Sequence, residues 1–333
     1  MALEEIKDFF KQFIDNQPFE LTTLPQSGSS RKNYIAKTSD VTYVVTQNQN
    51  IRENQSFFYF TEVFSKLKLN TPQIFAISED KTIYIQEFLG EKTLSQTIEE
   101  EGLSDNVKAL VKETLNRLYL LQTATKNQID YTQTSEYERY DHIPIIHDLY
   151  YFKNFMVDVL ELPYHKTSLL KEFYKIAEKV ETLEPKTLMI RDFQARNIMI
   201  NAQNQIGFID YQSAMEGVAM YDVVSFLFQA KANFPEAFKK EMIDYYISLY
   251  DDESTLQKLR DSIAWIQLMR YLQVLGAYGF RGLVQKKKHF LNSIEQGIEN
   301  IYHLMTHWDN AHEFPELTKV IKALKKVQPH INI

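Results

Sequence analysis

Residues 189–199 read MIRDFQARNIM, and FIDY follows at 208–211. Three short apolar runs, TLMI (187–190), NIMI (197–200) and IGFID (206–210), are separated by the polar clusters RDFQARN and NAQNQ. This pattern reads as strands joined by loops. Asp192 and Asn197 stand five residues apart in the first loop, and Asp210 closes the third run. Phosphoryl transfer from a nucleotide needs a carboxylate that accepts the acceptor's hydroxyl proton, metal ligands, and donors for the phosphates. Here Asp192 is placed to face a hydroxyl, and the Asn197 carboxamide with the Asp210 carboxylate supplies hard oxygen ligands of the kind that suit Mg²⁺. Asp and Asn also stabilise ordinary turns. The strand context on both sides, with a β-rich segment upstream, favours the phosphoryl-transfer reading.

Upstream, an amphipathic helix over about 2–15 leads to strands at 19–24, 34–38 and 41–46. A helix follows over 53–69 and ends before the Thr71-Pro72 breaker, and two more strands are expected at 73–77 and 82–87. The turn Ser27-Gly28-Ser29-Ser30 joins the first two strands, where small residues let backbone N–H groups approach phosphate oxygens, although Gly and Ser dominate turns for other reasons too. No lysine occurs in Tyr43-Val44-Val45-Thr46 of the third strand, so Arg31 or Lys32 is the candidate cation for the nucleotide, with Glu53 the candidate to orient it. Backbone groups from Glu87 to Leu89 are placed to hydrogen-bond an adenine, since ligand pockets favour the junction of two domains.

From Leu94 onward helices dominate, at about 93–100, 104–125, 146–160, 166–182, 220–231, 235–250, 255–276, 284–306 and 314–326. We therefore expect an N-terminal domain over 1–89 and a C-terminal domain over 90–333. A chain of 333 residues is long for one core. With 22 Phe and 20 Tyr but only 9 Gly and 9 Pro, it is mostly regular structure with short connections. There is no cysteine, hence no disulfide and no thiolate zinc site. A net charge of −7 argues against nucleic acid as a partner, and Lys286-Lys287-Lys288 is too short a cluster to reverse that. The N-terminal segment lacks the apolar core of a signal peptide and no stretch approaches a membrane span, so a soluble cytoplasmic protein with no membrane partner is expected.

These residues resemble the aminoglycoside phosphotransferase and choline kinase family, whose catalytic loop reads H-x-D-x-x-x-x-N followed by a metal-binding aspartate. In this chain the loop is Ile190-Arg191-Asp192 through Asn197, then Ile209-Asp210-Tyr211, with Ile190 in the histidine's place. A closer similarity is to the bacterial anomeric kinases of N-acetylmuramate and N-acetylglucosamine. It rests on Ser29-Ser30-Arg31-Lys32-Asn33-Tyr34, the missing third-strand lysine, RDFQARNIM, Asp210-Tyr211-Gln212-Ser213-Ala214, Gly217 to Phe226 and Arg270 to Gly276. The resemblance implies an α+β, bilobal protein-kinase-like fold with a small β-rich N-lobe and a large helical C-lobe, and an ATP and Mg²⁺ site. It makes Asp192 the base and gives the metal to Asn197 and Asp210.

It further implies that Gln194, Arg196 and Gln212 line the acceptor side, and that Asp222 braces the catalytic loop or caps its own helix. In HDLYYF, His147 and Asp148 are placed to bond sugar hydroxyls, while Tyr150, Tyr151 and Phe152 either stack on a sugar ring or pack as a helix face. Arg270, in the apolar helix IAWIQLMRYLQVLG, needs a partner, either a structural carboxylate or an anionic substrate. The expected activity is ATP-dependent transfer to an amino-sugar hydroxyl, the anomeric one for preference. Aminoglycoside and choline kinases are the rival substrate classes, and a pseudokinase is the non-catalytic rival.

Overall fold

Ile6, Phe10 and Ile14 recur every fourth residue, which aligns them along one stripe of a helix. The computed structural model, which describes residues 2–25, 30–229 and 231–328, forms helix α1 (Ala2–Phe13) there. Ser27, Gly28 and Ser29 lie outside the described residues. Five strands follow as one antiparallel sheet: β1 (Glu20–Thr23), β2 (Lys32–Lys37), β3 (Thr42–Gln47), β4 (Ile74–Ile77) and β5 (Ile83–Glu87), in the order β1-β2-β3-β5-β4. The α1 stripe packs on Tyr34, Ala36, Val45, Ile83 and Ile85, which form a single apolar cluster with it.

The register places Asn33 opposite Thr46 and Thr46 opposite Tyr84, and Ile35 opposite Val44 and Val44 opposite Gln86. Residues directly opposite share a face, and successive residues alternate. Asn33, Thr46, Tyr84 and Gln86 therefore stand on the face away from α1. Helix α2 (Ile51–Lys66), whose N-cap Asn50 accepts from the Glu53 N–H, covers that face and sets Phe57 and Phe58 against Tyr84 at ring-centroid distances of 5.3 and 5.1 Å.

The chain divides into two compact units, Met1–Glu138 with Ile190–Met215 and Arg139–Met189 with Glu216–Ile333. The boundary expected near Gly90 falls within the first unit. After β5 the chain forms β6 (Lys92–Thr93), α3 (Leu94–Glu101) and α4 (Asp105–Ala124). Strand β6 pairs with β8 (Ile198–Ile200), which pairs with β9 (Ile206–Phe208). Gly90 makes this return possible: its φ is 150°, and a Cβ there would stand 2.3 Å from the Ile200 carbonyl oxygen.

The second unit holds α5 (His142–Phe152), α6 (Lys166–Glu181), β7 (Lys186–Met189) paired with β10 (Met215–Val218), and helices α7 (Met220–Leu227), α8 (Glu236–Ile247), α9 (Glu253–Tyr278), α10 (Lys288–His307) and α11 (Pro315–Val327). Two expected helices adjoin π-helical turns. The one expected at 146–160 begins at His142, because Asp141 caps it, and passes into a π-helical turn over Lys153–Val157. A second π-helical turn, Gly279–Val284, stands where the helix 284–306 was expected to begin. The two turns meet at Gly279, where a Cβ would lie 2.1 Å from the Phe155 carbonyl oxygen. Among the described residues, no helix is long and apolar enough to cross a membrane.

Candidate active site

The loop between β7 and β8 is shaped by its backbone before any side chain acts. Arg191 has φ 72°, and the Asp192 N–H turns back to the Ile190 carbonyl at 3.0 Å. Ile190, where the family pattern has histidine, is 1% exposed, so packing fills a place that a polar ring would otherwise brace. Asp192 is left half-buried with its carboxylate at the loop's bend. Asn197 ties the loop together: its Nδ2 donates to the Asp192 carbonyl at 2.8 Å and to Asp210 Oδ2 at 3.2 Å, while its own carbonyl accepts from the Ile209 N–H at 3.1 Å. Both Nδ2 hydrogens are then used, and Asn197 Oδ1 is the group left to ligate. Phe193 packs edge-on against Phe208 with centroids 5.0 Å apart, anchoring the loop to β9.

Arg31 reaches this loop from the start of β2. Its Nη2 donates to Asp210 Oδ1 and its Nη1 to Gln212 Oε1 at 3.0 Å, with Nε 3.5 Å from Glu53 Oε1. Gln212 Nε2 donates in turn to Asp210 Oδ1 at 3.1 Å. Glu53 is held from the other side by Asn48 Nδ2 at 3.0 Å. Of the two candidate cations, Arg31 is the one that joins the carboxylates. Lys32 is exposed and falls on the opposite side of the strand's alternation. Asp210 has φ 67°, a left-handed conformation unusual outside glycine.

Burial would raise the Asp210 pKa, but the adjoining Arg31 guanidinium outweighs it and holds the carboxyl below its ordinary value. Burial likewise lowers the Arg31 pKa, and the charges of Asp210 and Glu53 more than reverse that. Asp210 is therefore anionic and Arg31 cationic across the neutral pH range. The segment after Asp210 is fixed to α2: Ser56 Oγ donates to the Gln212 carbonyl at 2.9 Å, Thr61 Oγ1 and Tyr211 Oη are 2.6 Å apart, and Phe57 stacks on Tyr211 at 4.8 Å.

Residues 22–261 match the model of the APH phosphotransferase enzyme family. The chain belongs to this family. An N-acetylmuramate/N-acetylglucosamine kinase of Neisseria meningitidis serogroup B is 23% identical over 287 residues, 82% of each chain. Among solved structures, the choline kinase LicA of Streptococcus pneumoniae aligns with a TM-score of 0.62 at 14% identity, covering 91% of this chain and 100% of that one. The ADP-bound aminoglycoside phosphotransferase APH(2'')-Ib aligns with a TM-score of 0.60 at 17% identity, covering 89% and 97%. The fold is thus the α+β kinase-like one, and the protein is a phosphotransferase acting on a hydroxyl acceptor.

For a phosphotransferase of this family, the donor set can be tested against a metal. Asn197 Oδ1 and the Asp210 carboxylate are hard oxygen donors on residues that already touch, which fits Mg²⁺ completed by phosphate and water. Among the described residues no group of three or more His, Cys, Asp or Glu side chains gathers to hold a metal, so most of the coordination shell would come from the nucleotide and solvent.

The remaining expected site residues are placed as follows. Gln194 is half-buried, Arg196 is exposed, and Gln212, expected on the acceptor side, is 3% exposed with both ends of its amide held by Arg31 and Asp210. Ser30 is the exposed described end of the serine turn. The Glu87 N–H is engaged by the Gln73 carbonyl at 2.8 Å, and Leu89 packs against Gly207. In the second unit Asp148 is 2% exposed and accepts from Tyr140 Oη at 2.9 Å, and Arg270 is 4% exposed, donating to Tyr221 Oη and Gln273 Oε1 at 2.9 and 2.8 Å. His147 is exposed and Tyr150 and Tyr151 are half-buried, but Phe152 is fully buried and belongs to the core. Asp222 lies within the first turn of α7 rather than at its N-cap, also fully buried. The sequence reading did not single out Asn33, Thr46 and Gln86, which share the sheet face of Arg31; strand alternation was the signal for them.

Proposed function

We propose that this protein is an ATP-dependent kinase that transfers the γ-phosphoryl group to the anomeric hydroxyl of N-acetylmuramate or N-acetylglucosamine. The observation that carries the reading is the hydrogen-bonded set of Asp192 (through its backbone carbonyl), Asn197, Asp210 and Arg31, which supports Asp192 as base, Asn197 and Asp210 as metal donors and Arg31 as cation. Asp192 accepts the hydroxyl proton as the acceptor oxygen bonds to the γ-phosphorus and the bond from that phosphorus to the β-bridging oxygen breaks, releasing ADP. Bound Mg²⁺, held by Asn197 and Asp210, would neutralise charge on the phosphates. Arg31, oriented by Glu53, takes the part of the missing third-strand lysine, and Ser30 offers a backbone donor. Positioning and charge neutralisation supply most of the rate, because this transfer leaves little covalent work for the protein.

The amino-sugar acceptor is supported by the similarity to the Neisseria enzyme and by the motifs that frame Asp192. Gln194 and Arg196, on the same loop as Asp192, are the residues we assign to the acceptor. A cytoplasmic place in cell-wall sugar recycling follows from the same reading. Turnover assayed with N-acetylmuramate, N-acetylglucosamine, kanamycin and choline tests it: the N-acetyl sugars are expected to be phosphorylated at the 1-position. Phosphorylation of kanamycin or choline alone would replace this acceptor with another.

A further inference from the structure

We propose that Asn33 is a phosphate-binding residue of the nucleotide site, and that Thr46 and Gln86 fix its orientation. The proposal rests on the kinase reading above and adds a ligand to it. Thr46, near the end of β3, lies in the stretch that lacks a lysine. Its side chain instead joins a row of hydrogen bonds crossing three strands: Gln86 Nε2 to Thr46 Oγ1 at 3.0 Å, and Thr46 Oγ1 to Asn33 Oδ1 at 2.8 Å.

The direction of this row is dictated by the chemistry of its members. An amide nitrogen can only donate, so Gln86 gives a hydrogen to the Thr46 hydroxyl, and that hydroxyl has a single hydrogen of its own to pass on. It goes to Asn33, whose oxygen must therefore face Thr46. Tyr84 stands opposite Thr46 on β5. Burial pushes the Tyr84 phenol up to about 12, so it stays neutral beside this row. The Thr46 hydroxyl, 1% exposed, thus spends its one hydrogen on Asn33 while accepting from Gln86.

The consequence falls on the far end of the row. With its oxygen turned to Thr46, Asn33 has its Nδ2 hydrogens turned away from Thr46, and Asn33 is half-buried rather than sealed. Two residues earlier, and so on the same side of the strand, Arg31 carries its guanidinium to Asp210. An oriented amide donor beside a guanidinium and a metal-binding carboxylate is suited to an oxygen-rich anion, the phosphate chain of a nucleoside triphosphate. A neutral donor adds no negative charge near Asp210, and it needs no counter-ion of its own as a buried lysine would.

The test measures MgATP binding by calorimetry, and the KM for ATP, on wild type, Asn33→Ala, Thr46→Val, Thr46→Ser and the double variant Asn33→Ala/Thr46→Val. Asn33→Ala is expected to weaken ATP binding about tenfold, as for a hydrogen bond to a charged group. The KM for the acceptor should be unchanged, while the melting temperature without nucleotide should fall in Asn33→Ala because the buried Thr46 hydroxyl loses its acceptor. Thr46→Val should produce the same loss, Thr46→Ser should restore it, and the double variant should be no weaker than Asn33→Ala alone, because one interaction is removed twice. ATP binding by Asn33→Ala equal to that of a binding-competent wild type overturns the inference and leaves the kinase reading standing. Additive losses in the double variant overturn the orienting role of Thr46. A wild-type protein that binds no MgATP overturns the kinase reading and this inference together. Should Thr46→Val not fold, Asn33→Ala decides whether Asn33 binds phosphate and a Gln86→Leu variant replaces it in the additivity test.

Discussion

On one face of the N-terminal sheet, Tyr34, Ala36, Val45, Ile83 and Ile85 meet α1; on the other, one residue along each strand, stand Asn33, Thr46, Tyr84 and Gln86. The first face is closed by rings in contact, Phe10 with Phe19 at 4.9 Å and with Tyr43 at 5.6 Å. The second is organised by hydrogen bonds and charge, ending in the Arg31 cluster. Neighbours in sequence thus have separate duties, and the strand period of two is what separates them. The comparison teaches that the packing of one face and the polar network of the other can be altered independently, although they share the same strands.

The strongest test of that separation lies at the loop below the polar face. Asp192→Ala is expected to lower kcat by about 100- to 10,000-fold, the range for loss of a general base, while thermal melting moves little because the carboxylate is only half-buried. A large melting shift would mean the residue is structural. Phe10→Ala should do the reverse: about 3–5 kcal/mol of stability lost in denaturant unfolding, as for a large buried ring, with the KM for ATP unchanged well below the melting transition. An altered KM there would show that the two faces are coupled.

Arg31→Gln is expected to weaken ATP binding by about 10- to 100-fold, the worth of charged hydrogen bonds. It also has a pH signature. Because Arg31 depresses the folded-state pKa of Asp210 from the ordinary 3.8, the stability their pairing contributes is fully present above that value and is lost as pH falls through the lower folded pKa. The melting difference between wild type and Arg31→Gln should therefore be constant above about pH 5 and shrink toward zero below the ordinary aspartate value. A difference that persists unchanged into strong acid would assign the stabilisation to packing. The smallest effect belongs to Glu53→Gln. Its contact with Arg31 is long, at 3.5 Å, and partly exposed, so a loss of up to about fivefold in ATP affinity is expected.

The loop between β7 and β8 was legible because charged residues stood between apolar runs, a pattern that depends on neighbours in sequence alone. The sequence left Arg31 and Lys32 as equal candidates, and deciding between them required knowing where the strand begins, since one residue of register exchanges the faces. The need of Arg270 for a partner could be read from its apolar helix. Gln273, three residues on, lay in the same helix, whereas Tyr221 is brought from a different helix by tertiary packing. The two π-helical turns were not legible, because they arise where Gly279 meets the Phe155 carbonyl, a contact between distant segments. Asn33 was missed for a similar reason: a lone asparagine in a strand carries no signal until its cross-strand partners are known.

Tyr211 and Gln212 are fastened to α2 by the Ser56 and Thr61 hydroxyls and the Phe57 ring. Just beyond the helix's end, Asn70 accepts from the Phe208 N–H at 2.8 Å and donates to the Ile206 carbonyl at 2.9 Å. Mechanically, the helix and the Asp210 segment form one rigid part, gripped at two places along its length. Tilting α2 to switch the enzyme off would break all of these contacts in one motion. We therefore expect an enzyme governed by the supply of its substrates rather than by a swinging helix, with amide exchange in α2 equally slow whether or not nucleotide is present.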